Sequence, residues 1–425
     1  MKKTEKNTTK VKNQPQEKQT NGFWVRTIIF IVIALAFCST FFFKDKIENL
    51  INYNLNKSAV STVIEEDGLI IHFVDVNQAD CTIVEFPTGE IMVIDTGDNN
   101  SESNQKLQNY LKTINFEYEK SQPVIDFLVL THPHADHIGG APYLFENYLI
   151  KNCYLPQVYY SNPENPSENP FNVPEGAIYT TDDTYLETLT LLKAEMENDG
   201  CNKNYSCDGL EICSSGFVRS QASNNSDMWV VDFFAPLTGY TYTEGSSLEA
   251  DPNNYSPIII LNYLNKKIMF TGDIEKKAEN HFLEKVEQNY FEFNEDYFDV
   301  DILHVAHHGA KTSSTKNFLA LVQPEIAVIP VGKNSYGHPT EQTLTNLKEA
   351  GVSENNIYRT DINGNIAVGV SKEGKLALSA NHVQYTTIEI KLWQIVIVAV
   401  GISAIIIYFP YIKKVIKIKK SKSKI

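Results

Sequence analysis

A short apolar run, Val124-Ile125-Asp126-Phe127-Leu128-Val129-Leu130, opens directly into Thr131-His132-Pro133-His134-Ala135-Asp136-His137-Ile138-Gly139-Gly140. The run reads as a buried strand. A strand that ends in a loop can aim alternate side chains at one point. Here the loop offers three histidines and a carboxylate within six residues, ligand types that suit zinc, manganese or iron. A chain organised around such a loop needs a rigid sheet beneath it.

That sheet is legible on both sides of the motif. Residues 69–76, 81–86 and 90–95 are short β-rich runs before it, with helix-like residues at 104–111. Residues 257–263, 267–273, 299–305 and 325–330 are further strands after it, with turns expected at Pro87-Thr88-Gly89 and Asn265-Lys266. Residues 183–198 and 340–350 read as helices and 364–378 as a closing hairpin. Strands first and helices later, repeated twice, predict a layered α/β domain. The stretch 161–174, with its prolines and asparagines, reads as loop, as does 238–254. His304 lies within a predicted strand, where packing or a hydrogen bond is its expected role.

Charge is unevenly placed. Residues 1–43 carry seven Lys/Arg against Glu5 and Glu17, and residues 410–425 carry seven Lys and no acid, so the segment between them is more acidic than the whole-chain net charge of −15. The basic ends flank two apolar runs, 23–43 and 392–409, each near the ~20 residues that span a bilayer. The organisation this predicts is a basic tail (1–22), a transmembrane helix or signal anchor (23–43) and a juxtamembrane spacer (44–67). A folded domain (68–381), a second transmembrane helix (392–409) and a second basic tail (410–425) follow. The positive-inside rule then puts both termini in the cytoplasm and the domain outside the cell membrane. A cleavable signal peptide is the alternative for the first run, and a buried core helix for the second. Cys201, Cys207 and Cys213 recur every six residues in a polar stretch, a spacing that would suit a disulfide in an oxidising compartment.

The pattern His-x-His-x-Asp-His resembles the metal-binding motif of the metallo-β-lactamase superfamily, whose members are mostly two-metal hydrolases. The resemblance implies a four-layer αββα sandwich and two divalent metal ions, Zn or Mn. It implies His132 and His134 as ligands of one metal, and Asp136 and His137 as ligands of the other. Asp273, in Phe270-Thr271-Gly272-Asp273, is placed to bridge them. Of the pair His307-His308, His308 is expected to close the second metal site and His307 to face the substrate oxygen, although the two roles can be exchanged. Asp136 and His307 are the expected catalytic residues. Asp95, in Ile94-Asp95-Thr96-Gly97, resembles the superfamily's first motif and would orient the metal loop by hydrogen bonds.

The resemblance narrows further. Phe73-Val74-Asp75-Val76-Asn77-Gln78-Ala79-Asp80 is similar to an Asp-Val-Gly-Gln-Gly-Asp segment of the extracellular hydrolase-like domain of ComEC-type competence proteins, with Asn77 and Ala79 in place of glycines. His307-His308-Gly309-Ala310-Lys311-Thr312-Ser313-Ser314 and Asn334-Ser335-Tyr336-Gly337-His338-Pro339 also resemble that family. The likeness runs from about residue 69 to 378, leaving an insert at about 150–255 uncovered. It implies a metal-dependent phosphodiesterase working through a metal-bridged hydroxide, with Lys311 and His338 as substrate-binding residues. The implied substrates are DNA, single-stranded DNA among them, and phosphoesters of the cell envelope. The acidic balance opposes general attraction to DNA. No histidine lies between His137 and His281, so the superfamily's usual third ligand to the first metal is missing; water, His338 or nothing takes its place. That gap motivates the competing expectation of a non-catalytic metal-binding ectodomain.

Overall fold

From Leu69 the chain lays down β1 (Leu69–Phe73), β2 (Thr82–Glu85) and β3 (Ile91–Ile94) as an antiparallel meander. Helix α1 (Ser101–Leu111) follows, its first turn capped by Asn100, whose side chain accepts from the N–H groups of Glu102 and Ser103. Next come β4 (Tyr118–Glu119), β5 (Gln122–Val129), the single turn α2 (Ala135–Ile138), α3 (Ala141–Asn147) and β6 (Leu149–Leu155). Each helical crossover returns the chain to the same end, so β5 and β6 run parallel to β3. After the small pair β7 (Tyr159–Tyr160) and β8 (Tyr179–Thr180), α4 (Asp183–Asn198) leads to β9 (Asn202–Tyr205) at the sheet edge.

The second half repeats this plan. Strands β10 (Leu210–Cys213), β11 (Trp229–Ala235), β12 (Ile258–Tyr263) and β13 (Lys266–Phe270) are antiparallel. Helix α5 (Lys276–Glu287), β14 (Ile302–His304), α6 (Lys316–Val322), β15 (Ile326–Ile329), α7 (Glu341–Glu349) and β16 (Ile357–Arg359) then give a parallel half. β17 (Ile366–Val370) and β18 (Leu376–Ala380) close back on β1. The two sheet orders are β18-β17-β1-β2-β3-β5-β6-β9, with β4 beside β5, and β10-β11-β12-β13-β14-β15-β16.

These are the features of a computed structural model that describes residue 51 and residues 68–162, 164–175, 177–206, 227–237 and 252–380, with the backbone of 210–213. All of them lie in one unit, Asn49–Thr387. Strand side chains are buried on both faces, as the near-continuous apolar runs require. In β3, Met92 and Ile94 join the core between the sheets, while Ile91 and Val93 pack against the helices on the outer face. In β12, Ile259 and Leu261 face the inter-sheet core, and Ile258 and Ile260 face α5 and α6. Helices α1, α3 and α4 cover the first sheet and α5, α6 and α7 the second. The result is the expected αββα order of layers.

Several differences from the sequence reading have physical causes. The hairpin between β12 and β13 turns at Leu264-Asn265, both with positive φ (50° and 63°), one residue earlier than expected. Lys266 is already paired with Tyr263, and its ammonium reaches Asp301 at 2.5 Å. Cys201 enters no disulfide: it is a free, buried thiol at the start of β9, packed in the core against β6 rather than lying in an irregular stretch. Cys207 and the Cys213 side chain lie outside the described residues, as do the basic tails and the apolar runs at 23–43 and 392–409. Among the described residues no helix is long and apolar enough to cross a membrane.

Candidate metal centre

Both parallel halves deliver their strand ends to one edge of the sandwich, the usual place for a site in an open α/β sheet. Strand β5 leads into Thr131 and His132, and the turn α2 carries Asp136 and His137. Strand β13 leads into Thr271-Gly272-Asp273, and β14 into His307 and His308. Those last two residues sit at φ 53° and 52°, left-handed backbone that side chains avoid at a cost of about 1–3 kcal/mol each. Asp95 is left-handed as well, at 57°. Gly140 explains itself by contact: a Cβ there would lie 2.2 Å from the Thr96 carbonyl oxygen, so only glycine lets the metal loop rest on the Asp95 loop.

Asp273 stands at the middle. Its Oδ1 is 3.3 Å from His137 Nε2, and its Oδ2 is 3.9 Å from His132 Nε2, 3.7 Å from His307 Nε2 and 3.9 Å from His308 Nε2. His308 Nε2 lies 3.4 Å from Asp136 Oδ2, and His132 Nε2 lies 3.1 Å from His134 Nδ1. Two groups of donor atoms, His132 with His137 and Asp273, and Asp136 with His137 and His308, each converge within 4.8 Å, as a metal ion requires.

The outward-facing ring nitrogens are all held. His137 Nδ1 donates to Asp95 Oδ2 at 2.6 Å, and His308 Nδ1 to the Pro330 carbonyl oxygen at 2.9 Å. His132 Nδ1 meets the hydroxyls of Thr131 at 3.1 Å and Ser256 at 3.2 Å. This leaves each Nε2 turned to the centre as a lone-pair donor, the tautomer that ligating histidines adopt. His137 Nε2, His308 Nε2 and Asp273 Oδ1 are buried without any hydrogen-bond partner, and the 3.3 Å contact of His137 with Asp273 lacks hydrogen-bond geometry. Orphaned atoms of this kind are rare in a folded protein, and a cation bound between them would satisfy them. The residues therefore fit a divalent metal centre.

Electrostatics agrees. Burial opposes the charge on Asp273 and on Asp136, yet the facing imidazoles win and hold both carboxyls well below the usual range. Burial opposes protonation of His137 and His308 too, but Asp273, Asp95 and Asp136 lift His137 well above its ordinary value and His308 to about 9. His132, buried and beside His137, is driven well below its ordinary value and is neutral. The carboxylates thus demand positive charge at the centre, from protons or from cations that replace them.

The structure gathers His132, Asp136, His137, Asp273 and His308 directly. His134 is exposed at the mouth, and Asp95 touches the centre only through His137 and Thr131. His338 lies beyond His307, ring centroids 5.7 Å apart. The Ser256 hydroxyl meets the outward-facing Nδ1 of His132, and it also accepts from the Asp273 N–H at 3.1 Å. Nothing in Asn253-Asn254-Tyr255-Ser256 is a strong ligand, so the sequence reading missed it. Lys311 is exposed on the loop after His308. His304 donates to Asp80 at 2.6 Å, which ties the first sheet's Asp75–Asp80 segment to the second sheet. The same segment explains Asn77: it sits at φ 68°, where the related pattern has glycine, and asparagine tolerates that region best of the other residues. Ala79 carries no positive φ and needs no glycine.

Glu279 is a further residue without a sequence signal. From α5 its two carboxylate oxygens accept from the N–H groups of Ser314 (2.5 Å) and Thr315 (3.0 Å), anchoring the loop that begins at His307. Burial pushes this carboxyl up to about 7 against those hydrogen bonds. Its pKa is raised in the folded state, so its stabilising protonation is complete below the unfolded value and is lost as pH rises through about 7. Wild type compared with Glu279→Gln should therefore gain stability by about 1.4 kcal/mol per pH unit as pH falls from 7 toward 5. Denaturant titrations of both chains measure this; a difference independent of pH contradicts it.

Comparison with known proteins follows the same lines. Residues 74–193 match the Metallo-beta-lactamase superfamily. The chain is 24% identical over 307 residues to ComE operon protein 3 of Bacillus subtilis (strain 168), a match covering 70% of this chain and 32% of that protein. It is 30% identical over 125 residues to Competence protein ComA of Neisseria gonorrhoeae, covering 29% of this chain and 16% of that one. Recombination protein 2 of Haemophilus influenzae is 29% identical over 96 residues, covering 22% and 11% respectively. The chain spans less than a third of the length of these relatives. With its αββα layers and its His/Asp cluster, the chain carries a metallo-β-lactamase superfamily domain similar in sequence to ComEC-type competence proteins.

Proposed function

We propose that this chain is a metal-dependent hydrolase of phosphodiesters. In this reading the apolar runs at 23–43 and 392–409 anchor it in the cell membrane, with the hydrolase domain outside and both termini in the cytoplasm. The observation that carries the hydrolase reading is the set of buried, partnerless atoms His137 Nε2, His308 Nε2 and Asp273 Oδ1 at the meeting point of both sheets. His132, His134 and Asp273 would hold one divalent cation, Zn or Mn, and Asp136, His137, His308 and Asp273 the other. Bound there, such cations lower the pKa of water and draw charge from a phosphoryl oxygen.

The chain's own groups do the rest. His307 turns Nε2 to the centre, while its Nδ1 lies 3.3 Å from Glu275 Oε1 and 3.4 Å from the Thr312 hydroxyl. Burial opposes its protonation, but Asp273 and Glu275 raise its pKa, and in this reading Nε2 would give a proton to the leaving oxygen. Lys311 and His338 stand on the same rim for the phosphate oxygens. Relatives named for competence and recombination support DNA as the substrate context, with envelope phosphoesters as the other phosphodiester class.

The test is cleavage of single-stranded DNA and of bis(p-nitrophenyl) phosphate by the full-length chain with Mn²⁺ or Zn²⁺. Metal-dependent cleavage, lost on the order of 100-fold or more in an Asp136→Ala, His308→Ala double variant, is expected. Equal rates in the variant, or no cleavage of either ester by metal-loaded wild type, overturn the reading. Wild type holding less than one metal per chain would favour the non-catalytic ectodomain.

A further inference from the structure

The loop at residues 332–339 forms one wall of the mouth, and a single side chain braces it. Asn334 Nδ2 donates to the carbonyl oxygens of Gly332 and His338, both at 2.9 Å. Its Oδ1 accepts from the N–H groups of Gly337 (2.9 Å) and His338 (3.0 Å). On this braced loop Tyr336 is 74% exposed, the most exposed large hydrophobic side chain among the described residues. Single exposed aromatics are common, and exposure alone says little.

What sets Tyr336 apart is what lies beneath it. Its ring lies 29° from parallel with that of His338, centroids 5.6 Å apart, and His338 in turn lies 5.7 Å from His307. His307 Nε2 is 3.7 Å from Asp273. A line of rings thus leads from solvent to the candidate metal centre. Lys311 and Lys333 are exposed on the two loops flanking that line, and neither has an ion-pair partner among the described residues. An open aromatic face with unpaired cations beside it is how proteins hold single strands, since only unpaired bases expose their π-faces.

We propose that Tyr336 is a stacking platform for a nucleobase, so that the phosphodiester presented to the centre belongs to a single-stranded nucleic acid. This deepens the phosphodiesterase reading and rests on it. A polyol phosphate has no planar face for the ring, and a choline head is typically held by a cage of several aromatic rings rather than by one exposed ring. The bases are therefore the fitting partner.

Fluorescence anisotropy with the full-length Asp136→Ala, His308→Ala chain, which leaves strands intact, tests this directly. The probes are an end-labelled oligothymidylate and the matching abasic strand, which has the same sugars and phosphates. The base-bearing strand should bind about 10-fold more tightly. Tyr336→Ala should remove that preference and Tyr336→Trp keep it, with melting temperatures unchanged because the ring is exposed. Equal binding of both strands, or a preference that survives Tyr336→Ala, overturns the proposal and leaves the phosphodiesterase reading intact. A preference lost in Tyr336→Ala, beside an active-site wild type that cuts no phosphodiester, upholds the platform and overturns the phosphodiesterase reading instead.

Discussion

Replacing Asp273 with Asn should lower metal-dependent hydrolysis about 1000-fold while the domain stays folded. Asp273 is the only side chain among the described residues whose carboxylate lies within 4 Å of His132, His137, His307 and His308 together. Both cation positions of the proposed centre would therefore share it. Asparagine keeps the shape but removes the negative charge that would hold cations between the imidazoles. The loss of several kcal/mol of charge stabilisation corresponds to the stated fold-change. Stability should change little, because the variant also buries one charge fewer. Rates at saturating Mn²⁺, read beside thermal melting, decide the matter. Activity within tenfold of wild type would mean that Asp273 is not a shared ligand.

Asp95→Ala should act on the fold instead, costing about 3–5 kcal/mol. Asp95 Oδ1 accepts from the Thr131 N–H at 2.8 Å, and Oδ2 accepts from the Thr131 hydroxyl and from His137 Nδ1, both at 2.6 Å. Alanine leaves all three donors buried and unpaired, in a residue whose φ of 57° also disfavours it. Asp95→Asn, which tolerates that backbone and keeps one acceptor, should recover part of the loss. Denaturant titration of the metal-free chain measures both variants. A cost below about 1 kcal/mol for alanine would show that the metal loop is held by something other than Asp95.

Much of this centre could be read from the chain because its ligands end apolar strands. His132 follows β5, Asp273 follows β13 and the His307-His308 pair follows β14, so a short apolar run and a polar terminus mark each one. Ser256 and Glu279 could not be read so. They reach the site through the β12–β13 hairpin and the packing of α5, contacts between residues far apart in sequence. The first sheet beyond β5 was obscure for another reason. β6 carries Lys151 and Asn152 in its middle, and β9 is a short polar edge strand, Asn202-Lys203-Asn204-Tyr205, paired on one side only. A parallel edge strand needs neither alternation nor apolar character, so its sequence resembles a loop. Asn77 shows the converse: the substituted glycine position kept its left-handed backbone, and the resemblance survived the change of residue.

The central claim is that the cluster around Asp273 is a two-metal centre, and metal content tests it most directly. Full-length chain equilibrated with Zn²⁺ or Mn²⁺, freed of unbound metal and assayed by inductively coupled plasma mass spectrometry, should hold about two ions per chain. Asp273→Asn should hold about one or fewer. Less than one ion per chain in wild type, or the same content in wild type and variant, would contradict the account.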